Sequence, residues 1–258
     1  MSRRIWFSAL AMAGGSFCLI SAVKVTVLYD NTIHTPGTRA DWGFSCLIES
    51  SGHTLLFDTG TLPYILADNA KKAGVDLGAI PQVVISHGHR DHFGGLPAVL
   101  RVASRGIRVY IPPNLPEAMR QKIAAAGGTA VVPQNPLTLE GGMMTTGFLG
   151  DGIPEQGLIL MTGKQNVLIT GCSHPGIVNM VRQARTIIKA NVDVVLGGFH
   201  LAGHSQKAVT DIIRQFRLLG VRRAGPTHCT GEAAIDAFRK AYGKNFIAMG
   251  VGRVLELE

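Results

Sequence analysis

Four side chains of the kind that bind transition metals, His87, His89, Asp91 and His92, fall within six positions of one another. They sit in the run Ser86-His87-Gly88-His89-Arg90-Asp91-His92-Phe93-Gly94-Gly95, directly after the apolar residues Val83, Val84 and Ile85. Imidazole and carboxylate donors together suit Zn²⁺, Fe²⁺ or Mn²⁺. Alternate residues of an extended backbone share a face, so His87 and His89 can converge on one ion. Asp91 and His92, further round the turn, can then face a second. Three of the chain's nine histidines stand in this stretch, a concentration that argues against a solvated polar loop.

To present these groups at a rim, residues 83–85 must form a short buried strand that ends at the motif. The surrounding pattern supplies the frame. Residues 23–29 alternate as a strand, and 44–48 with 54–57 read as a hairpin around Ser50-Ser51-Gly52-His53. Helical spacing over 64–73 stops at Gly74, and further helices are expected over 96–103 and 116–126, with a strand at 109–111 between them. Residues 133–156, rich in Gly, Pro and Thr, form one long irregular passage, where substrate contacts are expected. A second hairpin (158–162 with 167–170) is followed by alternation of helix 177–190, strand 192–196, helix 206–219, strand 223–226 and helix 232–242, then a last strand region over 246–257. Hairpins first and strand–helix alternation later predict an α/β chain of mixed type, two sheets packed face to face with helices outside. No internal boundary or short repeat interrupts residues 23–258.

The chain has 258 residues, 46% hydrophobic and 16% charged, enough for one substantial core. Its net charge of +8 mildly favours anionic substrates. Lys and Arg are scattered, with no basic run interleaved with aromatics, so a small-molecule substrate is expected and nucleic acid is not. Ser2-Arg3-Arg4 precedes an apolar, small-residue stretch from Ser8 to about Val23, with Ile20-Ser21-Ala22 as a cleavage site. Residues 1–22 are therefore expected to be an export signal resembling the twin-arginine type, which implies a periplasmic location. A membrane association would arise only if that segment stayed uncleaved. Beyond Cys18, the three cysteines Cys46, Cys172 and Cys229 give no complete disulfide framework. Cys46 alternates with core positions.

The signature His87-x-His89-x-Asp91-His92, with Asp58-Thr59-Gly60 upstream, resembles that of the metallo-β-lactamase superfamily. The resemblance runs from about Val23 to the C-terminus. Gly171-Cys172-Ser173-His174-Pro175-Gly176, Gly197-Gly198-Phe199-His200-Leu201 and Thr227-His228-Cys229-Thr230-Gly231 are similar to a narrower branch. That branch is named after a 7,8-dihydropterin-6-methyl-4-(β-D-ribofuranosyl)aminobenzene-5'-phosphate synthase. The resemblance implies a four-layer αββα sandwich and a site for two divalent ions, zinc above all, with iron or manganese as alternatives.

The resemblance also extends the ligand set. His228 stands where the last ligand of the second metal is placed. Cys172 replaces the bridging Asp of many members and reads either as a thiolate ligand or as a small buried residue. His174 reads as a ligand, a substrate contact or a turn residue. A histidine usual before the second hairpin is absent, leaving Glu155 as a substitute ligand or a surface carboxylate. His200 is expected to line the pocket as a proton donor, and Asp91 to bind metal and orient a hydroxide. Asp58 is expected to orient ligand histidines through a hydrogen bond, and Asp30-Asn31 to line the same rim. His34 and His53 are expected at the surface. Should Cys172 and Cys229 lie close together, an exported protein could pair them. The implied activity is hydrolysis of a small phosphorylated or ester-type substrate by a hydroxide held between two ions. The alternatives are a pterin-related transferase, an oxygen- or nitric-oxide-reducing di-iron protein, and an exported binding protein with a degenerate site.

Overall fold

The computed structural model describes residues 22–258; the expected export signal over residues 1–22 lies outside them apart from Ala22. Six strands open the first sheet: β1 (Val23–Tyr29), β2 (Ser45–Ser50), β3 (His53–Phe57), β4 (Gln82–Val84), β5 (Arg108–Tyr110) and β6 (Thr129–Val131). Strands β7 (Leu137–Thr138), β8 (Met144–Thr145), β9 (Leu158–Met161), β10 (Asn166–Thr170), β11 (Val194–Gly198) and β12 (Arg223–Thr227) make the second. The last strand, β13 (Val254–Leu257), returns to the first sheet beside β1, giving the orders β13-β1-β2-β3-β4-β5-β6 and β12-β11-β10-β9-β8-β7.

Period-two alternation builds the core. Val25, Val27, Ile48, Leu55 and Phe57 of the first sheet meet Leu158, Leu160, Val167, Ile169, Val194 and Leu196 of the second. Their neighbours Leu56, Leu168 and Val195 point outward, under helices. Helices α1 (Pro63–Lys72), α2 (Arg90–Phe93), α3 (Leu96–Val102) and α4 (Glu117–Ala125) follow strands of the first sheet. Leu66, Ala70, Leu96, Val99 and Ile123 cover its outer face. Helices α5 (Ile177–Ile188), α6 (Gln206–Leu218) and α7 (Glu232–Tyr242) cover the second sheet, where Phe199, Phe216 and Phe238 pack with ring centroids 5.4–5.5 Å apart. This is the expected αββα sandwich.

The differences lie at the margins. Residues 133–156 carry two short strands instead of being wholly irregular, and β6 was not anticipated. Its three residues are mostly exposed and show no apolar alternation. Of residues 246–257, only the last four pair regularly. Among the described residues no helix is long and apolar enough to cross a membrane.

What the topology does for function is at the strand ends. β3, β4 and β5 run parallel, as do β10, β11 and β12. Their C-terminal ends deliver Asp58, the 86–92 turn, the 171–174 turn, His200 and His228 to one edge of the sandwich. Ligand-binding crevices of α/β sheets form at such ends.

Candidate metal centre

Two sets of donor atoms converge at that edge, each with its atoms within 4.8 Å of one another. His87, His89 and His174 form the first; Asp91, His92, Cys172 and His228 form the second. A further overlapping set joins Cys172, His174 and His200. The structure thus brings together every residue that the sequence proposed for the centre, except Glu155.

The orientation of three of the imidazoles is fixed from behind. Asp58, at the end of β3 with a left-handed backbone (φ 54°), accepts from the Ser86 amide (2.7 Å) and from Ser86 Oγ (2.8 Å). Because the Ser86 hydroxyl donates to Asp58, its oxygen is left to accept from His87 Nδ1, 2.9 Å away. The Asp58 oxygen that accepts from Ser86 Oγ, Oδ2, also lies 2.6 Å from His92 Nδ1. Both rings therefore hold a proton on Nδ1 and turn Nε2 towards the basin, an arrangement that raises ligand basicity. Asn31 Oδ1 does the same for His228, 3.0 Å from its Nδ1, and Asn31 Nδ2 donates to the His228 carbonyl.

The distances between donors fit a cation. His87 Nε2 and His89 Nδ1 face each other at 3.2 Å. Asp91 Oδ2 lies 3.2 Å from His228 Nε2 and 3.6 Å from His92 Nε2, and Cys172 Sγ lies 3.3 Å from His92 Nε2. Donors on a tetrahedral ion with bonds of about 2.0–2.1 Å stand roughly 3.3 Å apart. His174 Nε2 is buried and has no hydrogen-bond partner among the described residues. An unpaired buried polar atom is costly, and His174 belongs to the set with His87 and His89. The chemistry of both sets therefore suits divalent ions.

Charge is distributed accordingly. Burial, reinforced by His92 and His174, holds His87 well below the usual imidazole range, and burial with His200 and His89 brings His174 down to about 4. Both stay neutral, as ligands must. Burial opposes charge on His92, but Asp58 outweighs it and raises that ring to about 9, so an ion bound there would displace a proton from Nε2. Burial likewise opposes charge on Asp91, but the contact with His228 and the nearby His92 hold its carboxyl well below the usual range.

Glu155 is neither of the things its sequence context suggested. It is fully buried, so it is no surface carboxylate, and its oxygens are already taken. Oε1 accepts from the amides of Gly171 (3.1 Å), Cys172 (2.8 Å) and Ser173 (2.8 Å), and Oε2 from that of His174 (2.9 Å). A carboxylate so engaged shapes the turn that carries Cys172 and His174 and binds no metal. The 133–156 passage thus contributes to the centre through this buttress. Gly171 lets the turn approach the first sheet: a Cβ there would overlap Ser86 Oγ and come 3.0 Å from Asp58 Oδ2.

His200, two residues beyond β11, has a left-handed backbone (φ 52°) and sits on the exposed side of the basin, its ring 4.3 Å from that of His174. A hydrogen bond with Cys229 raises its pKa. His34 and His53 are exposed. Two contributors escaped the sequence reading. Ser86 lies inside the motif, but nothing in its spacing marks it as a relay. Trp42, 55% exposed, stands with its ring 4.9 Å from that of His228 and no sequence signal marks it. Beside it opens a cavity of about 520 Å³, lined among others by Asp30, Asn31, Arg239 and Phe246.

Comparison with known proteins agrees with this geometry. The family model described as "Metallo-beta-lactamase superfamily" matches residues 43–228. A curated relative from Methanocaldococcus jannaschii, named 7,8-dihydropterin-6-methyl-4-(beta-D-ribofuranosyl)-aminobenzene-5'-phosphate synthase, is 28% identical over 83% of this chain and 89% of its own length. Among solved structures, Tm1679, described as a metal-dependent hydrolase of the beta-lactamase superfamily, superposes with a TM-score of 0.76 at 29% identity, over 91% of this chain and 99% of that one. The metallo-beta-lactamase fold protein YhfI from Bacillus subtilis superposes with a TM-score of 0.66 at 19% identity, over 92% and 99% of the two chains.

Proposed function

The chain belongs to the metallo-β-lactamase superfamily, and from that premise we propose that it is a binuclear metal-dependent hydrolase of a small phosphorylated or ester-type substrate. The observation that carries the reading is the pair of donor sets at one sheet edge, with His87, His92 and His228 anchored through Nδ1 to Ser86, Asp58 and Asn31. His87, His89 and His174 would hold one ion; Asp91, His92, Cys172 and His228 the other. The thiolate and imidazoles favour zinc over harder ions. Bound there, divalent ions would polarise the scissile group and lower the pKa of water.

The remaining work falls to the chain itself. Asp91, kept ionised by His228 and His92, accepts a hydrogen bond from the attacking water and orients it. His200, on the open side with its pKa raised, donates a proton to the leaving group. Trp42 and the cavity beside it bind the part of the substrate that does not react, and the +8 net charge favours an anionic group there.

The test is zinc content per chain of the purified protein beside His87→Ala and His228→Ala. Two equivalents, reduced in both variants, support the proposal and lead to a screen of phosphomonoesters, phosphodiesters, lactones and β-lactams. Protein that stays metal-free after reconstitution with zinc, iron or manganese refutes it. The pterin-related name of the Methanocaldococcus relative supports a second reading, transfer to an acceptor other than water. Incorporation of labelled oxygen from water into product separates the two.

A further inference from the structure

Cys229 belongs to neither donor set, yet it is buried at their edge, only 5% exposed. Its thiol donates to the Cys172 carbonyl oxygen at 3.5 Å. Both thiols are free in the structure. We propose that Cys172 and Cys229 form a reversible disulfide that withdraws the Cys172 sulfur from the second donor set.

Topology makes this pairing unusual. β10 and β12 flank β11, so residues in register on them stand about 9–10 Å apart, beyond the reach of a disulfide. The two cysteines come together because each has left its strand, and because β11 ends in a residue with no side chain. A Cβ on Gly198 would lie 2.7 Å from Cys229 Sγ and 3.2 Å from the Cys172 Cα. Gly198 is thus the space through which one cysteine reaches the other. Ser173 Oγ donates to the Gly198 carbonyl at 2.7 Å, and Thr230 Oγ1 accepts from the Phe199 amide at 3.0 Å, so both turns are pinned to β11. Two sulfurs held this way have lost little mobility to gain by staying apart. Cys46, buried between the sheets in the hydrophobic core, has no such neighbour among the described residues and serves as an internal control.

The oxidant is a peroxide small enough to enter the histidine basin. Hydrogen peroxide converts one thiol to a sulfenic acid and releases one water. The second sulfur then displaces hydroxide from the sulfenic sulfur, and its own proton leaves with that hydroxide as a second water. Two thiols have lost two hydrogens and two electrons, and the peroxide has gained them. A thiol reductant reverses the bond by exchange. Cys172 cannot be both a disulfide sulfur and a thiolate ligand, so closing the bond leaves Asp91, His92 and His228 with one donor fewer.

The metal consequence rests on the proposed function; the bond itself does not, and the experiment separates them. Metal-free full-length protein is treated with hydrogen peroxide, its remaining thiols are alkylated and its peptides mapped without reductant. The expected result is a linked pair containing Cys172 and Cys229, about 2 Da lighter than the sum of its peptides, while Cys46 stays alkylated and dithiothreitol restores both thiols. Separate sulfinic acids on the two residues, or a link through Cys46, overturn the proposal. Zinc is then added to the reduced and oxidised forms. The oxidised form is expected to bind less, with recovery on reduction, and Cys229→Ala is expected to keep its zinc through the same peroxide treatment provided excess zinc is present. A link that leaves zinc content unchanged overturns the withdrawal of Cys172. Zinc missing from the reduced protein counts against the metal reading alone, the linked peptide still deciding for or against the bond.

Discussion

Glu155 shows how much of this centre depends on a side chain that touches no substrate. Four backbone N–H groups of the 171–174 turn end on its two oxygens. Glu155→Gln keeps the volume but replaces one oxygen with an NH₂ group, so at least one buried amide faces a donor. A buried polar group without a partner costs about 1–3 kcal/mol. Glu155→Gln is expected to lower the urea midpoint accordingly and to reduce zinc content, because the turn carries both Cys172 and His174; unchanged zinc would mean the turn holds its shape without this carboxylate. Asp30 permits a second expectation. Burial, against the hydrogen bond from Thr227, raises its pKa from 3.8 to about 6. With the folded value above the unfolded one, its contribution is fully present below pH 3.8 and is lost as pH rises to about 6, at which the folded form ionises. The loss amounts to roughly 3 kcal/mol. Asp30→Asn is expected to remove that slope, so the stability difference between variant and parent changes between pH 4 and 7; a constant difference would show that Asp30 ionises alike in both states. Single-residue roles of this kind were the least legible in the sequence. Glu155 could be read as a ligand or a surface group because a sequence does not reveal which backbone amides a carboxylate will meet.

At the scale of elements, the centre is made where strands stop. Of the six non-glycine residues with positive φ among the described residues, four are Asp58, Ser173, His200 and His228, each immediately beyond or near a strand end that delivers the site. Such backbone is sparsely populated and costs free energy that the surrounding hydrogen bonds must offset. The strands themselves were legible because Val25, Val27, Val167, Ile169, Val194 and Leu196 alternate inward. The short β6 and β7 were not, since residues 129–131 and 137–138 are largely exposed and have no apolar period to reveal them; β8 is buried but only two residues long, too short to show a period. The approach of the two sheets at the site was also hidden. Gly171 permits it, and Gly171→Ala is expected to cost about 1–3 kcal/mol and to lower zinc content. Gly163→Ala, in the 163–165 turn at the far end of the β9–β10 hairpin, meets nothing within 4 Å and should leave zinc content unchanged. Equal zinc loss in both would mean that the effect is general destabilisation.

The whole molecule is two half-sandwiches, and the donor sets belong to both. His87, His89, Asp91 and His92 come from the first sheet's edge, whereas Cys172, His174 and His228 come from the second's. Each set takes donors from both halves, so an ion in either ties one sheet to the other and binds the folded state far better than a chain whose sheets have separated. The fold class was visible in the sequence because hairpins precede strand–helix alternation; this sharing was not, because sequence order does not show that residues 86–92 and 171–174 meet. The shared donors have a thermodynamic consequence. A ligand at a concentration of 100 Kd stabilises the state it binds by about 2.7 kcal/mol, which for a domain of this size raises Tm by roughly 5–10 °C. Zinc added to chelator-treated protein is expected to produce a rise of that order, reversed by chelation. His87→Ala removes a donor of one set and His228→Ala a donor of the other, so each should retain part of the rise and the double variant almost none. A full rise in the double variant would place the stabilising ion elsewhere. A single variant as deficient as the double would show that the two sets fill together, as they would if Cys172, which neighbours both His92 and His174, served the two ions at once.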